Sequence, residues 1–178
     1  MLSMMLANPY DLFEDLIDDV YKTFELLESD RDSQYLKRVA VRAIFSFLEC
    51  VPYQLKYKIR KDYALEKLNY NLTKKDLESL FEDKENSNSK YRVTFTENFK
   101  DIFKLALKSW ELESFDLKFD TDFQKLTKSI KVRDRITHPK RHDDILISDD
   151  EFILIIESFE YVKNLFIELL QKKLEINK

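Results

Sequence analysis

Arg133, Asp134 and His138, in the run KVRDRITHPK at residues 131–140, have the types and spacing of a reactive set. An imidazole exchanges its proton near neutral pH and serves as general acid or general base. A guanidinium offers parallel donors that match two oxygens of a phosphate. A carboxylate beside them suits orienting an imidazole or holding a helix end. The chemistry this combination allows is proton transfer next to a stabilised anion, with no metal and no cofactor expected. The set lies in a basic block: residues 125–142 carry seven Lys or Arg against Asp134, net +6, whereas residues 1–31 carry eight acids against Lys22 and Arg31, net -6. The overall charge of -4 conceals this segregation. Such a stripe is either a solvated helix face or a phosphate-binding surface, and Lys128, Lys131, Arg135, Lys140 and Arg141 are its candidates for contact with backbone phosphates. His142 is either a fallback acid or a solvated side chain.

Composition narrows the remaining possibilities. The 178 residues contain no glycine, where ordinary usage of ~7% would supply about twelve. Chemistry built on glycine-rich turns, including P-loops, dinucleotide-binding fingerprints and nucleophile elbows, is excluded. A single cysteine, Cys50, rules out an internal disulfide and a multi-cysteine zinc site, and it fits a buried thiol in a reducing, cytoplasmic setting. The opening MLSMMLA is too short for a signal peptide. No apolar run approaches the ~18 residues of a membrane span.

The elements that must position the reactive set read as helices. Asn8 as N-cap and Pro9 at the first helical position open a helix to about Ser29. A second begins near Ser33 and is apolar nearly all round from Val39 to Val51, as a central helix would be, and Pro52 is expected to kink or end it. Thr73 and Asp76 form a capping box before a short third helix, and residues 83–90 (DKENSNSK) read as a mobile loop. Helices from about Thr96 to Trp110 and about Thr121 to Thr137 follow, the latter stopped by Pro139. Ser148 and Glu151 cap a long last helix with more apolar surface than one contact needs, consistent with self-association or with central burial. The expected fold is an all-α, single-domain bundle of five or six helices spanning residues 1–178.

Within the helix over residues 121–137, Phe123, Leu126 and Ile130 form an inward stripe whose next slot is Arg133, while Lys128, Lys131 and Arg135 take the solvent side. An inward Arg requires an anionic partner or a polar cleft. Arg38, Arg42 and Glu49 lie within about 40° of one another on the second helix, bordering the same cleft or forming one solvent-facing strip. Tyr53, Tyr57 and Trp110 suit either base stacking or packing.

The R-D-x-x-x-H pattern of Arg133, Asp134 and His138 resembles the signature of the HEPN superfamily, helical bundles that carry R-x4-6-H near the end of a helix. The helical context is similar: the motif closes the penultimate long helix, and a short connection leads to a long last one. The resemblance implies a metal-independent endoribonuclease of toxin–antitoxin or phage-defence type, acting on RNA as a homodimer and regulated by an antitoxin or other protein. It also implies an alternative, since many members are non-catalytic nucleotide-binding or protein-interaction modules. The H-x-Tyr extension of some members is missing, because Pro139 and Lys140 follow His138. The residues suit RNA cleavage through the 2′-hydroxyl: His138 as acid or base and Arg133 for the charge on phosphorus. Five helical residues place Arg133 and His138 ~7.5 Å and ~140° apart, so one chain brings them together only if the helix opens at Thr137. One histidine is not acid and base at once, and a two-fold axis would supply a second.

Overall fold

Apolar residues recurring every three to four positions, uninterrupted by glycine, fold into six α-helices in the computed structural model, which describes residues 9–68, 72–81, 94–112, 114–117 and 120–176. These are α1 (Pro9–Ser29), α2 (Gln34–Ala64), α3 (Lys74–Phe81), α4 (Phe95–Ser109), α5 (Thr121–Thr137) and α6 (Asp149–Ile176), with a 3-10 turn at His142–Ile145. Among the described residues the chain is all-α and has no strand. Asn8, the opening MLSMMLA and the loop at residues 83–90 lie outside them. No described helix is long and apolar enough to cross a membrane.

Local chemistry sets the boundaries. Thr73 and Asp76 exchange backbone and side-chain hydrogen bonds ahead of α3, and Ser148 and Glu151 do so ahead of α6. Thr94 and Glu97 make a further capping box, opening α4 at Phe95. At their C-terminal ends α2 and α4 need the left-handed residue that glycine usually supplies; Glu66 and Glu111 take it, each with φ of 54°. Pro52 does not end α2, contrary to one of the two outcomes expected of it. The proline forfeits one backbone hydrogen bond, but Val51, Leu55 and Ile59 beside it are fully buried, and that packing holds the helix through to Ala64.

The chain forms two compact units, Met1–Cys50 with Lys118–Leu165, and Val51–Leu117 with Phe166–Lys178. In the first, Phe47 of α2 meets Phe13 of α1 at 5.2 Å and Phe159 of α6 at 5.0 Å between ring centroids. Ala40, Val41, Ile44 and Leu48 are fully buried around them, which fits the nearly all-round apolar reading of this helix. Cys50 is buried. Along α6 the stripe Ile155, Phe159 and Val162 is buried, and so is Leu165 from another face, whereas Ile153 remains 54% exposed.

In the second unit, buried Asp62 of α2 accepts from Lys58 at 2.6 Å, from Trp110 Nε1 at 3.1 Å and from Lys173 of α6. The Lys173 ammonium lies 4.3 Å from the centre of the Trp110 ring. A cleft of about 230 Å³ between α3 and α4 is lined by Lys75, Asp76, Asp101, Lys104 and Lys108, among others.

Candidate functional site

The sequence motif is carried by α5 and the connection to α6, within the first unit. The buried face of α5 is Phe123, Leu126, Ser129, Val132 and Ile136, rotated from the expected stripe, with Ile130 only half-buried. The rotation follows from Ser129. Its hydroxyl meets Ser158 at 2.8 Å and shares the Lys125 and Leu154 carbonyls, so a small polar residue packs inside with its hydrogen bonds satisfied. Arg133 therefore stands at the margin of the face, its side chain 26% exposed.

At that margin the Arg133 guanidinium lies over the Phe45 ring, 5.2 Å from its centre. Nη2 pairs with Glu49 Oε1 at 3.3 Å, which supplies the anion that an inward arginine requires. Nε is shielded from solvent and lies 3.3 Å from Asp134 Oδ1 without the alignment of a hydrogen bond. Among the described residues Nη1 makes no hydrogen bond. Of the three residues of α2 considered with this site, Glu49 reaches Arg133, Arg38 donates to the Ile145 carbonyl at 3.2 Å, and Arg42 is exposed.

His138 is the C-cap of α5, with φ of -123° and ψ of 57°, and its backbone N–H donates to the Asp134 carbonyl. Its side chain is exposed and takes no hydrogen bond or ion pair among the described residues. The helix stays closed through Thr137, whose hydroxyl donates to the Arg133 carbonyl at 2.7 Å. The opening that would bring Arg133 and His138 together in one chain does not occur.

The connection after His138 is pinned by residues that spacing and residue type alone do not single out. Asp144 accepts from the backbone N–H of Lys140 at 2.8 Å and of Arg141 at 3.0 Å, and the Lys140 bond above all holds its carboxyl below the usual carboxylate range. Gln34 clamps Ile147 through both its amide atoms, and buried Lys37 pairs with Asp149 at 2.6 Å. Arg135 is not the solvent-side charge that helical spacing made it. Its Nη1 donates to the carbonyls of Asp143, Asp144 and Leu146, and its Nη2 meets both oxygens of Glu151 at 2.8 Å. A planar guanidinium with five donors fills such a pocket of carbonyls and carboxylate better than it serves a passing phosphate.

Lys128, Lys131, Lys140 and Arg141 are exposed. His142 is exposed as well, with Nδ1 3.8 Å from Asp143. Among the aromatic candidates, Trp110 is buried on Asp62, Tyr57 is half-buried and Tyr53 is exposed. No three His, Cys, Asp or Glu side chains gather as a metal site among the described residues. Compared with protein-family models, curated proteins and solved structures, the chain has no match.

Proposed function

We propose that this chain is a metal-independent endoribonuclease of the kind its motif resembles, a HEPN-like toxin or phage-defence effector. It acts as a homodimer, with His138 as general acid or base and Arg133 stabilising the phosphate. The observation that carries this reading is the state of the motif: an exposed imidazole that makes no hydrogen bond or ion pair among the described residues closes the helix whose Arg133 holds its guanidinium over an aromatic ring, with no hydrogen bond at Nη1 among those residues. An arginine held on a ring and tethered at one terminal nitrogen is preorganised to receive a phosphate oxygen at the other. Exposed Lys128, Lys131, Lys140 and Arg141 give the polyanion its track, Asp134 supports the helix end, and Arg135 serves the protein's own loop.

Because α5 is closed through Thr137, a complete site draws on a second chain. Light scattering at tens of micromolar is expected to give twice the 21.5 kDa of the chain; a monomer at that concentration removes the composite site. RNA affinity is expected to fall steeply with salt, and a Lys128→Glu, Lys131→Glu variant to bind at least tenfold more weakly, since about two phosphate contacts are reversed. Unchanged affinity in a filter-binding assay would put the RNA track elsewhere. The activity is tested by incubating purified protein with total RNA in EDTA beside a His138→Ala control.

The pairing of Arg133 with Glu49 favours a second reading, a non-catalytic HEPN-like nucleotide-binding or protein-interaction module in which Arg133 chiefly joins α5 to α2. Binding of RNA or nucleotide without cleavage would put it first.

A further inference from the structure

RNA cleavage through the 2′-hydroxyl needs two proton carriers of unlike role, a base and an acid, and a copy of His138, whichever chain of the dimer supplies it, is one of them. We infer that Glu49 is the other: the general base that takes the 2′-hydroxyl proton, leaving His138 the acid. This rests on the ribonuclease reading above. Glu49 lies on α2, 84 positions from Arg133 in sequence, yet its carboxylate reaches the Arg133 guanidinium at Nη2, 3.3 Å away. A phosphate bound at the terminal nitrogens of Arg133 therefore has a carboxylate beside it.

Two carboxylates touch Arg133, and their positions distinguish them. Asp134 lies against Nε, the nitrogen shielded from solvent, and belongs to the same helix turn as the arginine. Glu49 meets a terminal nitrogen and is 51% exposed, so substrate can reach it. The arginine it pairs with then stabilises the anion that forms on phosphorus.

The step balances without a further reactant. The 2′-hydroxyl proton passes to a Glu49 oxygen as the 2′-oxygen bonds to phosphorus. The bond from phosphorus to the 5′-oxygen breaks, its electron pair stays on that oxygen, and the His138 imidazolium supplies the proton. The products are a 2′,3′-cyclic phosphate and a 5′-hydroxyl.

The test compares wild type, Glu49→Gln, Glu49→Asp and His138→Ala in EDTA on one short single-stranded RNA, with binding of the same strand made as DNA, which lacks the attacking hydroxyl. Glutamine keeps an acceptor for Arg133 but is no base. Glu49→Gln is therefore expected to bind the DNA strand as wild type does and to cut at least ~100-fold more slowly. Glu49→Asp should recover part of the rate. A Glu49→Gln variant that cuts within threefold of wild type overturns the assignment; if His138→Ala is inactive in the same assay, the ribonuclease reading survives it. A His138→Ala variant as fast as wild type overturns both.

Discussion

Replacing Asp62 with alanine is expected to destabilise the protein by about 3–5 kcal/mol, the usual consequence of taking one partner from a buried ion cluster. The Asp62 side chain is 5% exposed and that of Lys173 11%, so water does not readily replace the lost carboxylate. The Trp110 indole N–H loses its acceptor in the same step. Since small proteins are stable by only ~5–15 kcal/mol, the loss should be plain as a lower denaturant midpoint. Adding Lys173→Met to Asp62→Ala removes the stranded ammonium and should recover part of it. Burial alone would raise the Asp62 carboxyl, but hydrogen bonds from Lys173 and Lys58 outweigh it and hold the carboxyl below its ordinary value. A depressed carboxyl contributes stability above the unfolded value and loses it as pH falls through the folded one, so this contribution fades in acid. Burial drives Lys173 the other way for a base, down to about 8, against the pull of Asp62. Between about 8 and 10.5 the unfolded chain holds a proton that the folded chain has released, and this group makes stability rise with pH. Tyr161, pushed up to about 12 by burial, acts oppositely above 10, so the lysine effect should be read below that. An Asp62→Ala midpoint equal to that of wild type would show that the cluster contributes nothing.

How much of this was legible in the sequence depends on the range of the interaction. Caps are local, and Thr73 with Asp76 or Ser148 with Glu151 could be read directly, as could the end of α5 before Pro139. The need of Arg133 for an anion followed from periodicity, and Glu49 was already among the residues considered for the cleft; their pairing was not determined by spacing. Asp62 with Lys173 and Lys37 with Asp149 were hidden because their partners lie 111 and 112 positions apart. Lys37 did carry a usable sign: a charge four residues before Val41, on a stripe continuing through Ile44 and Leu48, asks for a partner just as Arg133 does. Ser129 misled the assignment of the α5 face because hydropathy cannot anticipate a hydroxyl satisfied by Ser158. Arg135 misled it too, since a helical wheel does not show a connection folding back onto a nominally solvent-facing side. The helix ends at Glu66 and Glu111 have no glycine to announce them.

The largest functional effect is expected from His138→Ala: RNA cleavage in EDTA should fall by ~10²–10⁴-fold, the usual contribution of one positioned acid or base, with the fold retained. The second part of that expectation follows from exposure. The His138 side chain is exposed and makes no hydrogen bond or ion pair among the described residues, and surface substitutions of this kind usually change stability by less than ~0.5 kcal/mol. Its role at the helix end is a backbone one, the N–H donated to Asp134, and alanine keeps it. Arg133 is more embedded, so Arg133→Ala also gives up the contact with Phe45 and should lower stability by about 1 kcal/mol. Arg133→Lys is the sharper probe. It keeps the charge and replaces a planar, multiply donating group with a point charge, so RNA should still bind while cleavage stays far below wild type. The 3′ end left by wild type should be a 2′,3′-cyclic phosphate or its hydrolysis product, read by mass spectrometry of a short substrate. Cleavage that depends on added Mg²⁺, or a His138→Ala variant as active as wild type, would move the chemistry away from this histidine and leave binding without cleavage as the better account of the basic face.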